Sequence, residues 1–233
     1  MDRNRLFKKL FNHCNGYIEL RVLPSGNRTF ISLSTDWETL GEDVDEFCEM
    51  YKDQDIFFGV ATRNKKGGRK ENVVNIPCVW ADIDFKDTPE AEFNEKLNAF
   101  PFIPTIKTKS GNGIHLYFLL DNPVKQKDGT QTEGINEWIA SQLGGDNNVR
   151  NFDRILRLPD TVNHKYNNKP LCQVVEINDT AYRLKDLLEK VPTSTKKHKK
   201  NDIGDEFKVI IQKGSIYDLK LADSTINLKR EKS

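Results

Sequence analysis

The segment Ile76-Pro77-Cys78-Val79-Trp80-Ala81-Asp82-Ile83-Asp84 decides the fold of this chain. A largely apolar run that ends in two acids predicts a buried strand with a polar end. Because residues two apart in a strand share a face, we expect Asp82 and Asp84 to lie side by side. Their mutual repulsion would be relieved by a hard divalent cation such as Mg²⁺ or Mn²⁺. The alternative is an ordinary polar strand end, partly neutralised by Lys86.

A glycine turn between two predicted strands carries the second group of candidate residues. Ser110-Gly111-Asn112-Gly113 has turn chemistry, because glycine accepts positive φ and Asn tolerates the left-handed region. Backbone N–H groups, a hydroxyl and cations around such a turn can donate to the oxygens of a triphosphate. The alternative is a plain hairpin with a partly buried histidine, and no Walker A loop is present. The phosphate-binding candidates here are Lys107, Ser110, Gly111, Gly113 and His115.

A third segment, residues 144–165, concentrates charge of both signs. Asp146 or Asp153 can supply a third carboxylate to the acid pair. Arg154 and Arg157 lie three residues apart, which would place them on one face of a helical turn. The alternative interpretation is a charged connecting loop with internal salt bridges.

In order and spacing, the three segments resemble the archaeo-eukaryotic primase superfamily, most closely the primase-polymerases of plasmids, phages and mobile elements. Trp80-Ala81-Asp82-Ile83-Asp84 is similar to the acid-pair element of that superfamily, and residues 110–115 to its longer serine–glycine–histidine element. Gly145-Asp146 is similar to the third element, and residues 153–165 to the arginine-rich stretch that follows it. In that stretch the proline is commonly followed by glycine, whereas this chain has Asp160. The resemblance covers roughly residues 50–175.

The resemblance implies an α+β fold in which an RRM-like antiparallel sheet with flanking helices packs on an N-terminal α/β unit. It implies a metal-dependent, template-directed nucleotidyltransferase, a DNA primase and DNA polymerase that makes or extends primers on single-stranded DNA from NTPs or dNTPs. Two divalent ions, Mg²⁺ or Mn²⁺, would be held by Asp82, Asp84 and Asp146, with Asp153 as the rival for the third position. Ser110 and His115 would contact the β- and γ-phosphates, and Lys107, Arg157 and Arg63 would add positive charge.

The DNA-binding candidates come from local clustering, because the formal net charge is only +1. The basic loop at residues 65–70 precedes the acid-bearing strand and is typical either of a backbone-binding patch or of a solvated hairpin tip. The stretch after the arginines adds two more polar candidates. The predicted DNA contacts are Lys65, Lys66, Arg69, Lys70, Asn163 and Lys165.

The composition, 36% hydrophobic and 30% charged over 233 residues, indicates a soluble globular protein. We predict a catalytic domain at residues 1–191 and a basic linker with a C-terminal extension at 192–233. Related proteins often append a helicase or other domains. The four scattered cysteines form no CxxC pair, so a zinc ribbon is unsupported. No signal peptide or membrane-length apolar run is present, so we expect a cytoplasmic protein without a membrane partner.

Apolar periodicity predicts the other elements. Leu6, Phe7, Leu10 and Phe11 form a helical stripe expected to dock on the core. Further helices are predicted at residues 37–51, 89–99, 133–143 and 182–191, and strands at 17–23, 28–33, 56–60, 103–108, 114–120, 172–177 and 207–212.

Three other functions use part of these features. A two-metal nuclease also clusters carboxylates, but it does not need the triphosphate turn. A haloacid-dehalogenase-type phosphatase expects Thr or Val where this chain has Lys86. A non-catalytic RRM-like module that binds single-stranded nucleic acid would present exposed aromatic residues, for which Tyr117 is the candidate.

Overall fold

In the computed structural model of this protein, residues 2–64 and 67–192 are described. The helices are α1 Asp2–Phe11, α2 Trp37–Met50, α3 Glu90–Ala99, α4 Gly129–Leu143 and α5 Leu184–Leu188. The strands are β1 Tyr17–Leu23, β2 Arg28–Ser32, β3 Asp55–Gly59, β4 Asn75–Asp84, β5 Ile106–Lys109, β6 Gly113–Lys125, β7 Ile155–Arg157 and β8 Gln173–Ile177.

The predicted helices and strands within this range are present, with differences at their ends. Strand β5 begins three residues later than predicted, and α5 is shorter at both ends. Residues 155–157, for which no strand was predicted, pair with β3 as strand β7, so the shared helical face considered for Arg154 and Arg157 is not formed. The predicted strand at 207–212 and the C-terminal segment from residue 193 lie outside the described residues, as do Lys65 and Lys66.

The first sheet is antiparallel and has the strand order β2-β1-β3-β7. Alternate residues of β1 and β3 form a fully apolar face, where Leu20 and Phe58 are completely buried. Helix α1 packs on that face, and the Phe7 ring lies 5.3 Å from the Phe58 ring. The N-terminal stripe therefore docks on the core as predicted. Because β7 is formed by residues 155–157, the sheet of the N-terminal unit is completed by a segment from much later in the chain.

The second sheet is also antiparallel, with the strand order β4-β6-β5-β8. Helix α3 connects β4 to β5, and helix α4 follows β6 and packs on β4. Helix α4 ends at Gly144, whose φ of 80° is the left-handed C-terminal conformation that glycine adopts without strain. The α+β class, with an antiparallel sheet and flanking helices packed on an N-terminal α/β unit, is confirmed.

Strand β4 lies at the edge of the second sheet, yet its outer edge is covered. The Asn136 side chain on α4 accepts from the Trp80 N–H at 2.9 Å, and the Asp146 N–H donates to the Asp82 carbonyl at 3.3 Å. The Trp80 indole donates to the Val149 carbonyl at 3.2 Å. These bonds satisfy edge groups that would otherwise be free to pair with another strand, so the acid-bearing strand is held on both sides.

The register of β4 against β6 puts the candidate residues on one face. Asp82 pairs with His115, and Asp84 pairs with Gly113. A Cβ at residue 113 would overlap the carbonyl oxygen of Ile83, so glycine is needed there for close approach of the strands. Gly111 has a φ of 120°, a conformation that favours glycine. The two glycines of the turn therefore serve different purposes.

No helix among residues 2–64 and 67–192 is both long and apolar enough to cross a membrane.

Two glycines, Gly113 in the glycine turn and Gly134 inside α4, should respond in opposite ways to substitution by alanine. Gly113→Ala should lower the free energy of unfolding by about 1–3 kcal/mol, because the new methyl group meets strand β4. Gly134→Ala should raise it by roughly 0.5–1 kcal/mol, since residue 134 lies inside α4 with open space around it. Urea unfolding followed by tryptophan fluorescence measures both. Equal effects of the two variants would contradict the close approach at residue 113.

Candidate active site

An open cleft of about 620 Å³ lies between the two sheets and collects candidates from all three sequence segments. The second sheet supplies the acid pair, the glycine turn and the histidine, and residues 154–157 with Phe57 come from the first sheet. The residues that line the cleft are Phe57, Asp82, Ile83, Asp84, Ser110, Asn112, Gly113, His115, Arg154, Ile155, Leu156, Arg157, Asn163, Lys165 and Tyr166.

The acid pair stands at the end of β4 with its side chains partly open to the cleft. The Asp82 side chain is 33% exposed and that of Asp84 is 31% exposed. The Lys86 N–H donates to Asp84 at 3.1 Å, and its Nζ lies 3.3 Å from the other oxygen. The neutralising lysine considered from the sequence is therefore present, but of the two acids of the pair it contacts only Asp84, and its Nζ also lies 3.6 Å from Asp87. The Asp82 carboxylate faces only His115 at salt-bridge distance among the described residues.

His115 is buried on the adjacent strand and faces the acid pair. Its Nε2 lies 3.6 Å from Asp82 Oδ1, and its Nδ1 lies 3.5 Å from the Tyr117 hydroxyl. Burial lowers the pKa of His115, the Asp82 charge opposes that shift, and Arg157 and Arg154 reinforce it. The imidazole is therefore neutral at pH 7 and carries one N–H donor. Burial also raises the pKa of Tyr117 well above its usual range, which keeps the phenol protonated.

Arg157 is held in a fixed orientation by residues of the first sheet. Its Nη1 donates to Asp55 at 2.6 Å, and its guanidinium lies 4.8 Å from the Phe57 ring centroid. Asp55 also accepts from the His164 N–H at 2.8 Å. Burial alone would raise the pKa of Asp55, but these donors hold it below its ordinary value. The stability that this pairing contributes is therefore present above the ordinary carboxyl pKa and is lost as the pH falls through the lowered one.

The glycine turn is fixed by Asn163 rather than left open. The Asn163 side chain is buried and donates to the Ser110 carbonyl at 2.8 Å. Its Oδ1 accepts from the Lys165 N–H at 3.1 Å. The structure therefore gives Asn163, predicted as a DNA contact, the role of joining the serine turn to the loop that follows β7. Lys165 is exposed and lines the cleft.

Neither candidate for the third carboxylate lines the cleft. The Asp146 backbone is bonded to Asp82, but its side chain accepts from the Asn148 N–H at 2.8 Å. Asp153 lies in a neighbouring groove of the first sheet. In the described residues, no group of three or more acidic, histidine or cysteine side chains is placed to hold a metal. Asp146 is thus the nearer candidate by backbone position, although its carboxylate is turned to the short helical turn at 147–149.

Two cations predicted at the triphosphate lie elsewhere. Arg63 is fully buried, pairs with Glu19 at 3.1 Å, and donates to the carbonyls of Ala61 and Asp153 at 2.8 and 2.9 Å. Lys107 pairs across the sheet with Leu116, on the face opposite His115, and its Nζ binds Glu176 at 2.8 Å. The structure therefore brings Arg157 to the cleft but not the other two. Arg63 is held in a buried ion pair, and strand alternation puts Lys107 on the opposite face of the sheet.

The described part of the basic loop is partly occupied by internal contacts. Lys70 pairs with Glu133 at 2.5 Å and lies 4.9 Å from the Phe152 ring centroid. Arg69 is exposed. Gly111, also predicted at the phosphates, is close to Asn163 and lines a separate surface pocket rather than the cleft.

Four polar or aromatic residues that line the cleft were not among the predicted site residues: Phe57, Asn112, Arg154 and Tyr166. The sequence marked Arg154 only through its spacing from Arg157. In the structure, the charge of Arg154 helps to lower the pKa of His115. Phe57 and Tyr166 gave no signal, because they are single aromatic residues in segments that the motifs do not include. Only the pairing of β3 with β7 brings Phe57 next to the arginines.

The fold is similar to solved primase catalytic domains. The primase-polymerase AEP domain of cyanophage S-2L matches with a TM-score of 0.62 and 16% identity, over 82% of this chain and 97% of that domain. The catalytic domain of primase RepB′ in complex with initiator DNA matches with a TM-score of 0.57 and 12% identity, over 91% and 97%. Primase RepB′ matches with a TM-score of 0.55 and 13% identity, over 81% and 62%.

No protein-family model matches the chain, and no curated protein matches its sequence. At these identities the structural likeness establishes the fold alone. The chain thus has the fold of archaeo-eukaryotic primase catalytic domains, as the three motifs predicted.

The positions of Arg63 and Arg154 predict different costs on stability. Arg63→Ala should lower the free energy of unfolding by about 3–5 kcal/mol, because it removes the ion pair to one oxygen of the fully buried Glu19 together with two bonds to the carbonyls of Ala61 and Asp153. Arg154→Ala should cost less than about 0.5 kcal/mol, since this side chain lines an open cleft. Urea unfolding again provides the measurement. If Arg63→Ala were as stable as Arg154→Ala, the structural role of Arg63 would be refuted.

Proposed function

We propose that this protein is a metal-dependent, template-directed nucleotidyltransferase, a primase-polymerase that joins NTPs or dNTPs on single-stranded DNA. The observation that carries the proposal is the cleft itself, where an acid pair on one sheet faces two arginines on the other. A nucleoside triphosphate needs both, since its phosphates bind cations and its reacting phosphate requires carboxylate-bound metal. The primase-like fold supports the same activity.

The donor set of the acid pair fits Mg²⁺ or Mn²⁺. Asp82 and Asp84 offer hard carboxylate oxygens on one rigid strand, and Mg²⁺ is commonly bound by one or two carboxylates with waters and substrate phosphates completing its shell. When bound, such ions neutralise the charge that develops on the attacking and leaving oxygens. For a second ion, we propose Asp146 as the third carboxylate, which requires its side chain to leave Asn148. Asp153 is the rival.

The other residues of the cleft would act on the triphosphate and its leaving pyrophosphate. His115 is neutral, so its one N–H donates to a phosphate oxygen without adding a buried charge. The Ser110 hydroxyl and the turn N–H groups add neutral donors. Arg157 uses one nitrogen on Asp55 and has others available for phosphate oxygens. Arg154 and Lys165 extend the positive wall, and Lys165 is also a DNA contact in this proposal.

Removal of the acid pair tests the chemistry. Asp82→Asn and Asp84→Asn should each lower nucleotide incorporation by about a hundredfold or more, because the metal contribution to the barrier is worth several kcal/mol. Asp87→Asn is the matched control, since that carboxylate is exposed and pairs only with Lys86 among the described residues. The assay combines single-stranded template, Mg²⁺ or Mn²⁺ and labelled NTPs or dNTPs, with and without primer.

The outcomes separate the alternatives. Products that vanish in both variants establish the nucleotidyltransferase, and unprimed reactions report whether it initiates chains. Template degradation that is lost in the variants would indicate a two-metal nuclease. Template binding by folded wild-type protein without product would favour a non-catalytic single-strand-binding module.

Asp55 should act as a positioning residue for Arg157. Asp55→Asn removes a charge-assisted bond and loosens the guanidinium, so the KM for the nucleotide should rise about tenfold while kcat changes less. Asp53→Asn, on an exposed neighbour, is the control. Steady-state kinetics over a nucleotide series gives both constants. An unchanged KM with a normal stability would show that Arg157 needs no such anchoring.

A further inference from the structure

The outer face of the first sheet is basic and contains aromatic residues. This is the face opposite α1, because Phe57 alternates with the buried Phe58 that packs on that helix. Arg21 pairs directly with Arg28 on β2 and with Phe57 on β3, so all three share the face. A groove runs along it, lined by Arg21, Leu23, Phe57, Gly68, Asn151, Asp153, Arg154 and Ile155.

The cations of this face exceed the carboxylates that could neutralise them. Glu19 is fully buried and is contacted by Arg63, by Arg21 and, at 4.0 Å, by Arg28. Asp153 is the second carboxylate of the groove, and its charge acts on Arg63. With Arg154, four arginines therefore surround two carboxylates. One buried carboxylate does not need three guanidinium groups for its own satisfaction, and the surplus charge is complementary to a polyanion.

The groove is continuous with the cleft. Phe57, Arg154 and Ile155 line both, so a chain that leaves the cleft over these residues enters the groove directly, and Asp153 is the one carboxylate among the described residues that line the groove. The groove also has apolar surface, since Leu23 is 38% exposed and the rings of Phe57 and Phe30 are partly exposed. Aromatic side chains next to a positive groove are what single strands use, because unpaired bases stack while the backbone follows the charge.

We propose that this face binds the single-stranded nucleic acid that leads into the cleft, with Arg21 and Arg28 on its backbone and its bases against the apolar surface that Leu23 and the uncovered edge of Phe57 give the groove. This inference rests on the proposed function, because it assigns the path by which the template strand reaches the cleft. An unpaired strand is the occupant that fits, since the bases of a duplex are already stacked on one another and cannot pack against this apolar surface. The predicted contacts in the loop at residues 65–70 are not needed for it.

Direct binding tests the face without catalysis. Fluorescence anisotropy would follow a fluorescein-labelled oligo-dT bound to the full chain at several salt concentrations. Arg21→Ser/Arg28→Ser should weaken binding about tenfold and reduce the salt slope by roughly 1.4, the value for two phosphate contacts to a single strand. Arg28→Ser alone, on a half-exposed side chain that is not needed to fold, should give about half of the slope change. An unlabelled duplex should compete poorly.

The matched control is Arg5→Ser, which removes an exposed arginine from α1 on the opposite side of the first sheet. Equal binding by wild type and the double variant, or an equal loss in Arg5→Ser, would overturn the proposal. Efficient competition by duplex would overturn its single-strand character.

A second readout separates this inference from the proposed function. In incorporation assays the double variant should raise the template concentration needed for half-maximal rate about tenfold, with the rate at saturating template unchanged. If the wild type makes no product, the proposed function fails, while the anisotropy result still decides whether the face binds single strands. A double variant with normal template dependence would refute the template path even when the enzyme is active.

Discussion

The pairing of β4 with β6 is the constraint on which the rest of the site depends. Its register sets Asp82 against His115 and Asp84 against Gly113, all on the face that looks toward the first sheet. Because strand side chains alternate, a slip of one residue would turn both carboxylates into the layer where α4 packs. The glycine at 113 allows the close approach, and Asn136 with the Asp146 N–H fixes the free edge. The position of the acid pair is thus a property of the backbone.

The opposite wall of the cleft depends on a long-range connection. Strand β7 is only three residues long, yet it joins the first sheet about a hundred residues after β3 and sets Arg157 over Phe57. Asp55 then joins β3, Arg157 and the loop at His164 through one carboxylate oxygen. Asn163 in the same loop reaches back to the serine turn of the second sheet. The two walls are therefore cross-linked by hydrogen bonds close to the site, which limits how far they can separate.

Much of this arrangement could be predicted from local sequence. The acid-bearing strand, the glycine turn and the helix stop at Gly144 follow from alternation and turn chemistry that involve neighbouring residues only. The resemblance added the order of the motifs and with it the fold. What could not be predicted depends on contacts between distant residues. Arg63 was a reasonable phosphate ligand by charge, but Glu19, forty-four positions earlier, buries it. The face of β5 on which Lys107 lies depends on the strand register, which the sequence alone leaves uncertain by one residue. Strand β7 was not predicted, because it forms only by pairing with the distant β3.

A net charge of +1 conceals how the charges are distributed. Carboxylates and arginines are segregated across the cleft: the acids lie on β4, and the cations lie on or beside the first sheet. In the proposed function, this separation would place the β- and γ-phosphates of a nucleotide near the arginines and the reacting α-phosphate near the acids. On the first sheet the surplus of arginine over carboxylate continues beyond the cleft. A small protein can thus bind a polyanion without being basic overall, provided that its acids are either buried in ion pairs, as Glu19 is, or gathered where a metal would neutralise them.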